Sequence, residues 1–320
     1  GGAGHSVSLW NLNSMSEPPV TLGGHDGSVW SVALSSKWLV SGGEDQRVRL
    51  WPLDSLNNAC GQIEVGSVRA LATCGNVAMA LSGDKAIYLD VSDPLLPQEN
   101  STVTGVSALL SNGNHFFLAK KNGAVEIREV GGELVRSYEH PNFSAQLLTA
   151  IDGRRLALAS NWDENERKPS YRLAYADLSN KHATKKLHVI RMEQEASCIA
   201  LTPDGRYLFA GDGKGTIRRW DLSQPQLKEL SWTAHTKNIT QLICLPETVF
   251  STSWDGSARA WNLQGKSQSD PIKIDAEGRM RYAAQTNDGI LLGGDAARVR
   301  FLSKTWSGPD SPESELGYSR

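Results

Sequence analysis

The chain has 320 residues, 39% of them hydrophobic, with 30 Gly, 13 Pro and a formal net charge of −2. That balance leaves no overall electrostatic case for nucleic acid or an anionic membrane, and no apolar run reaches the roughly 18 residues of a spanning helix. The four cysteines (Cys60, Cys74, Cys198 and Cys244) are scattered without a C-x-x-C pair, which suits a reducing compartment and points to the cytoplasm.

Taken in order, the chain opens on Gly1-Gly2-Ala3-Gly4, with no basic flank or apolar core of a signal peptide. Short apolar strands then alternate with turn residues. The clearest unit runs from Gly24 to Leu53. It starts Gly24-His25-Asp26-Gly27, carries three apolar runs, and ends Val48-Arg49-Leu50-Trp51. Ser41, Asp45 and Trp51 follow His25 by 16, 20 and 26 residues; Ser251, Asp255 and Trp261 follow His235 by the same steps. Positions equivalent to Trp51 fall at Trp10, Asp90, Arg128, Ala176, Trp220, Trp261 and Leu302. Strands such as Val68–Ala72, Val77–Leu81 and Ile87–Val91 fill the intervals, with turn signals such as Ser111-Asn112-Gly113 and Thr202-Pro203-Asp204-Gly205 between them. The first strand begins partway through a repeat and the chain lacks an initiating Met, so it reads as a piece of a longer protein.

A repeat near 40 residues with a Gly-His start and a Trp end resembles the WD-repeat family, although only Trp220-Asp221 carries the literal Trp-Asp pair. The resemblance implies an all-β fold: a closed WD40-type β-propeller of four-stranded blades. Seven first-strand candidates (near Val29, Val68, Val106, Gln146, Ser197, Ile239 and Arg281) predict seven blades, with eight as the alternative. Residues 1–304 form the single propeller on this reading. An N-terminal strand, from Val7–Leu12 or Pro19–Gly23, closes the last blade and removes its free edge. Residues 305–320, polar and Pro-bearing, are expected to be a disordered tail or linker.

The family also gives the polar residues a role. His25, Ser41, Asp45 and Trp51, and His235, Ser251, Asp255 and Trp261, are expected to link by hydrogen bonds into structural staples rather than catalytic triads. Other units have lost this set. Ala210 and Lys214 stand at the Ser and Asp positions of the Trp220 unit, and such blades are expected to open first.

Two columns should line the rim of the top face. One holds Trp30, Arg69, Ser107, Gln146, Ser197, Thr240 and Arg281; the other, just before the turn Asp, holds Glu44, Gly83, Lys121, Trp162, Gly213, Trp254 and Asp295. Trp and Arg carry much of the binding energy at interfaces. Trp30, Glu44, Arg69, Lys121, Trp162, Trp254, Arg281 and Asp295 are therefore the candidate partner-binding residues, each Trp having a second reading as a wedge between blades. A seven-residue charged insertion, Glu164–Ser170, should lengthen the loop on that face.

Catalytic, cofactor and metal readings find no motif. Gly211–Thr216 does not match a phosphate loop, there is no G-x-S-x-G elbow, and the seven His show no H-x-H or H-E-x-x-H. The leading expectation is a non-catalytic scaffold or sensor, part of a larger signalling protein, that binds a protein or peptide as a monomeric propeller. Alternatives are a channel-mouth hydrolase or lyase using Glu44 and Asp295, and nucleic-acid binding through Arg69, Lys121, Arg281 and the Trp residues. The net charge of −2 speaks against the last.

Overall fold

The computed structural model describes residues 5–9, 19–35, 37–54, 61–93, 95–139, 145–151, 154–163, 168–179, 187–273, 279–285, 289–294, 298–303 and 314–317. All secondary structure among them is β. A hairpin of β1 (Val7–Leu9) and β2 (Val20–Leu22) precedes seven four-stranded antiparallel sheets. The first comprises β3 (Val29–Leu34), β4 (Trp38–Gly43), β5 (Arg47–Pro52) and β6 (Gly61–Glu64). The second is β7 (Val68–Cys74), β8 (Val77–Ser82), β9 (Lys85–Asp90) and β10 (Gln98–Val103). The third is β11 (Val106–Ser111), β12 (Phe116–Lys120), β13 (Ala124–Arg128) and β14 (Leu134–Glu139). The fourth is β15 (Leu147–Ile151), β16 (Arg155–Asp163), β17 (Lys168–Asp177) and β18 (His188–Arg191). The fifth is β19 (Ala196–Leu201), β20 (Tyr207–Asp212), β21 (Thr216–Asp221) and β22 (Glu229–Thr233). The sixth is β23 (Ile239–Cys244), β24 (Thr248–Ser253), β25 (Ser257–Asn262) and β26 (Ile272–Lys273). The seventh is β27 (Met280–Gln285), β28 (Gly289–Gly294), β29 (Arg298–Ser303) and β30 (Ser314–Gly317). Each sheet pairs consecutive strands, and no backbone ladder joins one sheet to the next among the described residues.

The chain divides into two compact units. One is Gly1–Leu148 with Trp162–Lys168 and Thr184–Leu187; the other is Thr149–Asn161 with Pro169–Ala183 and His188–Arg320. In the first, strand alternation feeds two cores from one sheet, because successive side chains point to opposite faces. Ala78, Ala80, Ile87 and Leu89 of the second sheet pack on Val40, Val48 and Leu50 of the first. Their neighbours Met79, Leu81, Ala86 and Tyr88 pack on Val106, Phe116 and Leu118 of the third. Tyr88 meets Phe116 edge-on, with ring centroids 5.6 Å apart. Val7 and Leu22 of the β1–β2 hairpin cover Val29, Leu39 and Trp51 on the outer face of the first sheet.

The second unit repeats the arrangement. Phe209 and Ile217 of the fifth sheet pack with Ile239, Val249 and Trp261 of the sixth. Phe250, Ala258 and Ala260 turn the other way, onto Met280, Ala283, Ile290 and Leu292 of the seventh. Burying both faces of a sheet calls for small as well as large side chains. Gly42 and Gly211 supply the smallest, since a Cβ on either would lie 2.8 Å from the β-branched residue that begins the next sheet, Val68 or Ile239.

Seven four-stranded sheets match the seven predicted first strands. The termini need correction. The partner of β29 is β30, from the stretch expected to be a disordered tail, rather than an N-terminal strand. The N-terminal segments pair with each other, Val7 opposite Leu22. A segment close in sequence closes a much shorter loop than one from the far end of the chain, and so loses less entropy on pairing. The insertion also differs from expectation. Only residues 164–167 separate β16 and β17, so much of the added length extends the two strands.

Candidate functional site

The two complete polar sets form linked chains at the end of their sheets where the β4–β5 and β24–β25 turns lie. His25 Nδ1 is 2.8 Å from Asp45 Oδ2, and Nε2 is 2.7 Å from Ser41 Oγ. In the sixth sheet His235 lies 3.0 Å from Asp255 and 2.7 Å from Ser251, whose Oγ accepts the Trp261 indole N–H at 2.9 Å. A carboxylate only accepts, so Nδ1 carries the proton in each imidazole and Nε2 accepts from the serine. The sense of donation then runs from indole through hydroxyl and imidazole to carboxylate. Trp51 meets His25 by ring contact, with centroids 6.2 Å apart.

Burial sets the protonation of the first set. Desolvation holds His25 below the ordinary 6.5 and outweighs its bond to Asp45. Desolvation also works to raise the Asp45 carboxyl. The His25 hydrogen bond and the Asp26 and Arg47 N–H groups outweigh it, and the pKa falls below 3.8. Asp255 is depressed further in the same balance, by His235 and Ser257. Both serines are wholly buried, so neither hydroxyl is open to a substrate.

The fifth sheet, which lacks the set, carries another device. Asp212 is buried and pairs with Arg218 at 2.6 Å, while its other oxygen takes the Lys214 and Thr216 N–H groups, each at 2.9 Å. Arg218 reaches Glu229 at 3.3 Å. This substitute was missed in the sequence; its signal was an Asp opening a glycine-rich turn with an Arg six residues on. Asp221 of the literal Trp-Asp pair instead holds Arg206, whose hydrogen bonds bring its carboxyl down to about 2.

The first-strand column acquires a physical meaning. In six sheets the ladder register shifts at that position: at Trp30, Arg69, Ser107, Ser197, Thr240 and Arg281. A β-bulge there leaves one residue unpaired and re-aims its side chain. Three of these side chains reach the next sheet. Arg69 donates to the Ser107 carbonyl at 3.0 Å, Ser197 to Ile239 at 2.6 Å and Thr240 to Met280 at 3.1 Å. The next residue along, Ser31 or Gln241, accepts the N–H of Leu71 or Ala283. Part of this column therefore joins sheets, and Arg69, exposed, ties one sheet to the next through one guanidinium nitrogen.

The remaining candidates separate. Trp30 is bulged outward and 51% exposed, and Trp254 is 39% exposed beneath the Arg279 guanidinium, 5.4 Å from the ring centroid. Glu44 accepts the Ser28 N–H at the end of the first sheet. Lys121 leans to Asp84 of the second sheet at 3.4 Å. Trp162 and Arg281 lie on β16 and β27, and Asp295 lies outside the described residues. Among the described residues no three His, Cys, Asp or Glu side chains gather as metal ligands.

A family model described as "WD domain, G-beta repeat" matches residues 16–52 and 185–221. The ribosome biogenesis protein YTM1 of Coccidioides immitis is 24% identical over 311 residues, covering 91% of this chain and 63% of that protein. The U3 snoRNP-associated protein-like EMB2271 of Arabidopsis thaliana is 28% identical over 112 residues, 32% of this chain and 23% of that protein. The chain thus spans less than two thirds of each relative's length. The crystal structure of the computationally designed Ika8 protein shares the fold, with a TM-score of 0.69 at 16% identity over 88% of this chain and 85% of that one. Seven four-stranded antiparallel sheets, with no helix among the described residues, are consistent with a seven-blade WD40 propeller.

Proposed function

For a chain whose repeats support membership of the WD-repeat β-propeller family, we propose a non-catalytic role as a protein-interaction scaffold in ribosome assembly. The observation that carries it is the contrast at the loop ends of the sheets. The chemically suggestive His, Ser and Asp side chains are sealed inside as staples, whereas Trp30, at a strand bulge, and Trp254, in a turn, stand exposed. Sealed serines support a role without acyl-transfer chemistry, and exposed aromatics on a fixed backbone suit partner recognition. The names of the two relatives, one in ribosome biogenesis and one associated with the U3 snoRNP, support work within a ribonucleoprotein complex in the nucleus, in preference to a cytoplasmic signalling role.

The test is affinity capture with the intact chain, Trp30→Ala, Trp254→Ala and the double variant, each with unchanged melting. The expected result is a set of ribosome-assembly proteins retained by the parent and depleted by at least one variant. Equal capture by all four, or a parent set without such proteins, overturns the reading.

A further inference from the structure

The loop ends of the fifth and sixth sheets carry a cationic and aromatic surface. The turn from Asp212 to Gly215 lies against the connection from Ala234 to Asn238, because the Ala234 and His235 N–H groups both donate to the Gly215 carbonyl at 2.9 Å. That connection is fixed in turn to the next one. The Trp254 N–H donates to the Asn238 carbonyl at 3.0 Å, and the Ser253 hydroxyl to the Lys237 carbonyl at 3.1 Å. Three turns are thus locked together before any ligand arrives, which lowers the ordering cost of binding.

On this frame the charges are sorted by depth. Asp212 and Asp255 point inward, one neutralised by Arg218 and the other engaged by His235 and Ser257. Lys214 and Lys237 point outward and have no ion-pair partner among the described residues. Gly213, exposed between them, adds no side chain; even a Cβ there would meet only Asn238, at 3.6 Å. Trp254 and Arg279 complete the surface, the guanidinium over the ring. A chain whose net charge is −2 therefore carries three cations on these joined turns and the strand beside them, one of them over an exposed indole.

We infer that this surface, formed by Lys214, Lys237, Trp254 and Arg279, binds a single-stranded RNA segment, one base stacking on the Trp254 face opposite Arg279 while its phosphates meet the three cations. A base has a flat face that gains from an indole, and sequence-tolerant stacking beside a basic track is how single strands are held. An acidic peptide fits less well. Carboxylates gain most from a guanidinium free to bind two oxygens at once, whereas Arg279 lies over a ring and the other cations are lysines, which act as point charges. A duplex keeps its bases stacked on one another and leaves none for Trp254. The choice of RNA over DNA rests on the ribosome-assembly reading.

The experiment is fluorescence anisotropy of the intact chain with a labelled uridine 12-mer across a salt series. Three phosphate contacts predict a slope of log K against log salt near −2, at about −0.7 per contact. Trp254→Ala should weaken binding roughly tenfold and Trp254→Phe should restore most of it. Lys214→Ala with Lys237→Ala should flatten the slope to about −0.7. Absence of salt-dependent binding, equal binding of a duplex of the same length, or equal competition by a glutamate 12-mer overturns the inference. So do unchanged affinities in the variants. If the 12-mer is not bound while assembly proteins are still captured, the inference fails and the scaffold reading stands; loss of capture with RNA binding intact separates them the other way.

Discussion

The Ser197 hydroxyl donates to the Ile239 carbonyl at 2.6 Å, crossing from the first strand of one sheet to the first strand of the next. Ser197 sits at a β-bulge, between Ala196 and Cys198, and the same oxygen lies 3.1 Å from the Gly211 carbonyl. A ladder irregularity, which looks like a local fault, is thus the joint between sheets. Ser197→Ala should destabilise the chain by about 1 kcal/mol in urea unfolding, from the loss of a half-buried hydroxyl bond. Ser107→Ala, whose hydroxyl bonds within its own sheet, to Ala119, should cost less.

Ser251 is the middle of a relay, accepting from Trp261 and donating to His235. Ser251→Ala leaves the Trp261 N–H and His235 Nε2 buried without their partner and should cost roughly 2–4 kcal/mol, near the sum of two unsatisfied groups. A double-mutant cycle with Trp261→Phe checks this. Coupling close to zero would mean that the indole bond contributes nothing to stability.

Gly42 and Gly211 occupy matching places, each opposite the residue that follows a bulge. A methyl group at Gly42 would meet the Val68 side chain at 2.8 Å, and one at Gly211 would meet Ile239 at 2.8 Å and the Cys198 sulfur at 2.9 Å. Gly42→Ala and Gly211→Ala should each destabilise by about 1–3 kcal/mol through overpacking. Gly213→Ala has open space by comparison and should stay within about 0.5 kcal/mol. Thermal melting of the three variants tests the ranking.

Acid should weaken the fold in two stages. Burial lowers the His25 pKa below 6.5 in the folded chain, so unfolded chains take up the proton more readily. The neutral ring contributes stability above pH 6.5, and this is lost as pH falls through that value toward the folded pKa. Asp45, Asp255 and Asp221 are also depressed, Asp221 to about 2, so their contribution holds above 3.8 and is lost below it. Urea midpoints at pH 8, 5 and 3 should fall in order, and His25→Gln should remove much of the first step. A flat profile from pH 8 to 5 would contradict the buried neutral imidazole.

The sheet count was legible because period-two apolar strands and turn residues survive even where the polar set is gone. Ala78, Met79, Ala80 and Leu81 look featureless in sequence, but their alternation divides them between two cores. The staples were legible from the repeated spacing of His25, Ser41 and Asp45 together with the family resemblance it carries. The bulges were not, because a single extra residue leaves the apolar pattern nearly unchanged and only pairing reveals it. For that reason Arg69, Ser197 and Thr240 shared a column with Trp30 although they serve as ties. Arg279 went unnoticed because it precedes its strand and meets Trp254 only through the fold. β30 was illegible for a different reason. Ser314–Gly317 has no apolar face, and an edge strand can be recruited by backbone bonding alone.

Pairing of consecutive strands in every sheet has a consequence for how the protein is made. No sheet waits for a distant segment before its ladder can form, so each can assemble soon after its own residues leave the ribosome, in the order of synthesis. The ties at Arg69, Ser197 and Thr240 all point forward, from an earlier sheet to the one that follows. A finished sheet therefore presents its donor before the acceptor exists, and the nascent chain would grow by docking each new sheet onto a surface already prepared for it.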